Sequence, residues 1–195
     1  MSQLPKRKET PDGYRPVTTP KAVKMINRGN LEGNEQAMNW RIEERGAFEV
    51  FGIERNFRLD ETEKIPVFWD ECRQNGNYEK LFDAAGGVRY PDGRGLPLED
   101  GSFVINAVCG YSDLGDNTYP YLICALKKPD NNTTGFKVVQ IPKTTWAVFR
   151  SEKTDQIGAE IPILFKQANS EWLPSSDYDH AIGPNMEIYY TAPDG

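Results

Sequence analysis

FVINAVCGY (residues 103–111) and YPYLICAL (residues 119–126) are the two stretches that decide the fold class. Both are rich in β-branched and aromatic residues and have the length of a strand. Asp, Gly and Asn dominate residues 113–117 between them, a composition typical of a turn. Because so short a connection joins antiparallel neighbours, the sequence predicts a β-hairpin.

Outward from this hairpin, further segments have the composition of strands or helices. A helix is predicted from an N-cap at Thr62 to about Ala85, interrupted at residues 75–77, and another from Thr154 or Asp155 to about Gln167. Gly52 is expected to form a bulge. The remaining predicted strands are 48–53, 136–141, with a bend at Pro142, 144–150 and 186–190.

The resulting order is β-α-β-β followed by β-α-β. It predicts an α+β fold with antiparallel strands and two helices on one side. The two halves look like duplicated units, and the junction of such units is a common place for a ligand.

Charge is distributed unevenly along the 195 residues. The chain has a net charge of −6, but residues 1–30 alone carry +5, which leaves −11 for the rest. We interpret residues 1–37 as a basic, partly disordered leader and residues 38–195 as the folded domain. An acidic body repels phosphate, so we expect no direct binding of nucleic acid and a neutral or cationic partner instead.

The numbers of cysteine and histidine residues and the lengths of the apolar runs limit the kinds of site and the cellular location that we expect. The chain has three cysteines without CxxC spacing and a single histidine, His180, so we expect no metal site and no cofactor. We found no phosphate-binding glycine motif in a strand-to-helix context. No apolar run approaches the length of a membrane helix, and no apolar leader is visible. We therefore expect a cytoplasmic protein with reduced thiols.

Four segments, in order, resemble one family. They are Met38–Phe48, Ile65–Trp69, residues 135–149, and residues 171–178 with Met186–Tyr189. Together they resemble the GyrI-like (SOUL/gyrase-inhibitor-like) small-molecule-binding domain, found as the effector-binding domain of AraC-type transcriptional regulators.

This resemblance implies two β-α-β-β repeats related by a pseudo-two-fold axis, with a central hydrophobic groove between them. Members bind amphipathic, often cationic, molecules through a buried acidic residue among aromatic rings. Residues 1–37 are too few for the two helix-turn-helix units of the regulators, so DNA binding by this chain alone is not expected.

Glu187 is the candidate acidic residue of the groove, since the resemblance places the family's acid there and Tyr189 lies on the same face of its strand. Pattern alone leaves open that Glu187 faces solvent. The predicted aromatic walls are Trp69, Tyr111, Tyr121 and Trp146, and for each the alternative is packing in the core. Neighbouring strand residues alternate faces, so not all of them can line one cleft. Asp179 and His180 are expected to be exposed.

The first hypothesis is an effector-binding module for amphipathic, cationic small molecules. The second, by analogy with relatives that open strained cyclopropane-bearing compounds, is a hydrolase that uses Glu187 with Tyr121. The third is an interaction protein that acts on a DNA-binding partner or on gyrase.

Overall fold

The computed structural model describes residues 39–151, 158–181 and 183–191. The leader and the predicted helix start at Thr154 or Asp155 lie outside these ranges. The strands are β1 (Asn39–Arg45), β2 (Phe48–Arg58), β3 (Asn106–Cys109), β4 (Thr118–Leu126), β5 (Lys137–Ile141), β6 (Thr144–Arg150) and β7 (Asn185–Glu187). The helices are α1 (Ile65–Gln74), α2 (Asn77–Ala84), α3 (Ile161–Gln167) and the short α4 (Leu173–Ser175), with a π-helical segment, Ala168–Trp172, between the last two.

Five strands form one antiparallel sheet in the order β5-β2-β4-β3-β7. The predicted hairpin is present as β3 and β4, with Ala107 opposite Ile123. Strand β4 lies at the centre and is buried along most of its length. The α+β class is confirmed, whereas the pseudo-two-fold relation of two repeats stays a prediction.

Strands β1 and β6 pair separately but continue the register of β2 and β5. Arg45 lies opposite Thr144, and Phe48 lies opposite Ile141, so two residues on each side separate the ladders. Pro142, one of these, has no N–H to donate, which suits a break in the ladder. The four strands therefore form one long ribbon interrupted near Pro142, where the sequence predicted a bend.

The first predicted helix is two helices. Gly76 adopts a left-handed conformation with φ of 75°, and α2 begins directly after it. A glycine takes this conformation without the steric penalty of a side chain, which explains the break. Helix α1 buries Phe68, Trp69 and Cys72 against the sheet.

The two faces of the five-stranded sheet carry separate apolar clusters. The helix-covered cluster contains residues of β2 and β4 such as Phe51, Tyr121 and Ile123. The opposite cluster contains the alternate residues of the same strands, Val50 and Leu122 among them. Because side chains alternate along a strand, the position of each strand aromatic in this register determines which cluster it joins.

Gly52 pairs regularly with Cys124 on one side and Lys137 on the other, so the predicted bulge is wrong. The physical reason for a glycine here is close approach of the β4 backbone. A Cβ built on Gly52 would lie 1.9 Å from the carbonyl oxygen of Ile123 and 2.8 Å from the Cα of Cys124.

Replacing Gly52 with Ala is expected to lower the free energy of unfolding by about 2 kcal/mol or more, because the methyl group meets backbone that cannot rotate away. Urea unfolding measures this. Gly46→Ala is the matched control, since nothing lies within 4 Å of its built Cβ. Equal stability of the two variants would contradict the tight approach of β2 to β4.

Candidate functional site

Strand β7 places Glu187 on the helix-covered face of the sheet. Glu187 lies opposite Ala107, which belongs to the cluster beneath α1. Tyr189, two residues further on, packs against the same cluster. The side chain of Glu187 is therefore on the face that carries these rings, and the residue is half-buried.

Two tyrosine hydroxyls donate to one oxygen of Glu187. Tyr121 Oη lies 2.8 Å from Oε2 and Tyr189 Oη lies 2.6 Å from the same atom. The indole Nε1–H of Trp69 donates in turn to Tyr121 Oη at 3.1 Å. Among the described residues no hydrogen bond reaches Oε1 of Glu187.

Burial raises the pKa of Glu187 above its ordinary value, and the hydrogen bonds from Tyr189 and Tyr121 offset that rise only in part. The pKa values of both tyrosines are also raised, first by burial and then by the charge of Glu187. Both hydroxyls consequently keep their protons and remain donors at neutral pH. The centre is a desolvated carboxylate held by two neutral donors.

Aromatic rings adjoin this centre, and the cation of Arg73 packs on two of them. Trp69 meets Tyr189 edge to face with ring centroids 5.8 Å apart, and Tyr78 lies 6.4 Å from Trp69. The guanidinium of Arg73, one helical turn after Trp69, lies 5.4 Å from the centroid of the Trp69 ring and 5.7 Å from that of Tyr78. The Trp69 ring thus already carries a cation–π contact.

Tyr78 and Arg73 were not among the site residues predicted from the sequence. The spacing of Arg73 four residues after Trp69 on a predicted helix was the available signal, because such residues share one helix face. Tyr78 gave no comparable signal, since its place beside Trp69 depends on how α2 packs against α1.

The six predicted site residues divide between the two faces of the sheet. Trp69, Tyr121, Glu187 and Tyr189 come together. Tyr111 and Trp146 pack against the opposite cluster, where the Tyr111 hydroxyl donates to Oε2 of Glu54 at 2.6 Å. A ligand-binding role for these two residues stays a prediction.

Two surface cavities lie away from Glu187. One of about 590 Å³ is lined by residues including Glu54, Lys80 and Lys137, and one of about 270 Å³ by residues around Leu59. Glu187 lines neither of them. The ring of Tyr189, whose hydroxyl donates to Glu187, packs edge to face against the ring of Trp69.

His180 differs in part from its expected exposure. It is half-buried, and burial lowers its pKa, whereas the neighbouring Asp179 is exposed as predicted. No helix in the described parts of the chain is both long enough and apolar enough to cross a membrane.

Comparison with known proteins identifies the family of this chain. A family model described as the GyrI-like small molecule binding domain matches residues 38–195. The chain belongs to this family. None of the curated proteins compared with it matches significantly.

Two solved structures resemble the GyrI-like chain in fold. One is a protein assigned to bacterial transcription regulation from Staphylococcus aureus MU50, with a TM-score of 0.57 and 15% identity over 80% of this chain and 89% of that one. The other is SAV2435 bound to tetraphenylphosphonium, with a TM-score of 0.58 and 15% identity over 80% of this chain and 85% of that one. At this identity the likeness establishes the fold alone.

Glu187→Gln is expected to remove a pH-dependent loss of stability. The pKa of Glu187 is higher in the folded protein than in the unfolded chain, so its stabilising contribution is complete below the ordinary value of 4.5 and is lost as pH rises through the folded value. Urea titrations over this interval should show wild-type stability falling relative to the variant. A constant difference between the two proteins would contradict the raised pKa.

Proposed function

We propose that this GyrI-like domain binds amphipathic organic cations, with Glu187 as the counter-charge, and serves as an effector-binding module. The observation that carries the proposal is the Glu187 carboxylate, which shares Oε2 with two tyrosine hydroxyls and keeps Oε1 without a hydrogen bond from any described residue. Its position among the rings of Trp69 and Tyr189 supports the same conclusion.

A cation suits this centre for an electrostatic reason. Removing a carboxylate from water is unfavourable, and hydrogen bonds from neutral hydroxyls replace only part of the lost hydration. A positive charge beside Oε1 would supply the missing interaction in a region of low dielectric, where Coulomb attraction is stronger than in water. Each ring face that contacts the cation would add about 0.5–2 kcal/mol.

The apolar part of the ligand would occupy the space opened by moving Trp69 and Tyr189 apart. Their mutual contact and the apolar surface beneath them favour hydrophobic groups on the ligand. Arg73, which lies against Trp69, forms an ion pair with Asp70 at 3.0 Å. The positive charge of Arg73 is therefore balanced by its neighbour. The binding of tetraphenylphosphonium by SAV2435, which shares the fold, supports this ligand class.

The hydrolase alternative is favoured by one observation. A carboxyl with a raised pKa that accepts hydrogen bonds from tyrosines is suited to transfer a proton to a leaving group. Incubation with a cyclopropane-bearing alkylating compound tests it: turnover abolished in Glu187→Gln would support hydrolysis, and binding without turnover would reject it. Action on gyrase or on a DNA-binding partner remains a prediction from the resemblance.

Titration with tetraphenylphosphonium is expected to quench tryptophan fluorescence, because Trp69 borders the proposed site. Glu187→Gln should weaken this binding about tenfold, the loss expected for one desolvated charge interaction. The affinity for triphenylphosphine oxide, a neutral compound of similar shape, should change less than twofold.

Glu63→Gln is the matched control, since it removes one charge at an exposed position and should leave both affinities unchanged. Equal losses for the cation and the neutral compound in Glu187→Gln would contradict the charge mechanism. Absence of binding by the wild-type chain would reject the proposed function.

A further inference from the structure

The larger of the two surface cavities lies where β2 continues beyond the start of β5. Its volume is about 590 Å³, within the range of roughly 300–1,000 Å³ that is typical of small-molecule sites. Neither Glu187 nor the rings beside it belong to its lining, so it is a separate place on the molecule. Its walls come from β2, α2 and the start of β5, and the lining residues are Gly52, Ile53, Glu54, Asn77, Lys80, Thr134, Gly135, Phe136 and Lys137.

Strand β2 has an unpaired edge at this cavity. The last pair between β2 and β5 is Gly52 with Lys137, whereas β2 continues further beside β4 alone. The backbone N–H of Lys127 donates to the carbonyl oxygen of Glu49, so odd-numbered residues of β2 direct their backbone groups to β4 and even-numbered ones to the side of β5. The N–H of Glu54 therefore points to the side on which the cavity lies, and no described residue accepts its hydrogen bond.

The charged residues that line the cavity leave it net positive. Lys80 and Lys137 supply two positive charges and Glu54 one negative charge, a net of +1. The Glu54 carboxylate already has partners, because the hydroxyl of Tyr111 donates to its Oε2 at 2.6 Å and Lys137 Nζ lies 3.8 Å from the same oxygen. An anion of single charge would therefore balance the lining.

Lys80 has no carboxylate of its own in the described parts of the chain. Glu79 and Asp83, the two acidic residues of α2, both form ion pairs with Arg89. The ammonium group of Lys80 is therefore available to a negative group that enters the cavity.

We propose that this cavity binds an amphipathic organic anion, such as an aromatic carboxylate. The oxygens of the anion would contact Lys80, Lys137 and the N–H of Glu54, and hydrogen bonds to an ionised group are stronger than neutral ones. The half-buried side chains of Ile53 and Phe136 offer apolar surface to the body of the ligand. The proposal goes beyond cation binding at the other site and does not depend on it.

Two compounds of one shape and different charge test the proposal on the full chain: biphenyl-4-carboxylate and the neutral biphenyl-4-carboxamide. In calorimetric titrations the wild-type protein should bind the carboxylate about tenfold more tightly than the carboxamide, because only the carboxylate forms charged hydrogen bonds. Lys80→Gln should weaken carboxylate binding about fivefold, the effect of one ion pair at a partly exposed site, and leave carboxamide binding nearly unchanged. Lys128→Gln, which removes an exposed positive charge outside the cavity, should change neither affinity.

Amide chemical shifts in nuclear magnetic resonance spectra locate the bound carboxylate without any variant. We expect shifts at residues 52–54, 77–80 and 134–137, with the N–H of Glu54 among the largest. The same pattern should persist in the presence of saturating tetraphenylphosphonium, because the proposed cation site lies elsewhere.

The outcomes separate this proposal from the cation site. Equal affinity of the wild-type protein for the two compounds, equal losses for both in Lys80→Gln, or shifts confined to residues outside the lining would overturn the anion site. Displacement of the carboxylate by tetraphenylphosphonium would also overturn it, since the two compounds would then share one site. If the carboxylate binds as described and tetraphenylphosphonium does not bind, the proposed function fails and the anion site stands.

Discussion

The hydrogen bond from Tyr121 to Glu187 joins the parts of the molecule on which the site depends. Tyr121 belongs to the central strand β4 and is 1% exposed, so its hydroxyl is held by the core itself. Through Trp69 the same hydroxyl connects to α1, and through Glu187 it connects to β7. A carboxylate could not remain at this depth without such donors, because desolvation alone would be too unfavourable.

The structure was most predictable from the sequence where apolar strand segments were joined by a residue composition typical of a turn. The β3–β4 hairpin is present because both strands are apolar and the turn between them is rich in Asp, Gly and Asn. The shared face of Glu187 and Tyr189 follows from the two-residue period of a strand, although only the family resemblance favoured the inward face. Membership of the GyrI-like family agrees with that resemblance.

Other features depended on contacts that no local pattern reveals. Strand β1 reads NWRIEER, in which only Trp40 and Ile42 alternate with polar residues, and its pairing with β6 extends the β2–β5 register. Tyr111 and Trp146 lie on the opposite face because their places follow from strand register and ribbon geometry rather than from composition.

Among the described strands, β7 pairs on one side only. It ends the sheet order, and three residue pairs with β3 attach it. Short peripheral elements open at a lower free energy than the global unfolding of a domain. Glu187 is therefore carried by a peripheral strand, and local fraying there would admit a bulky guest of the proposed kind while the packing between α1 and β4 stays intact.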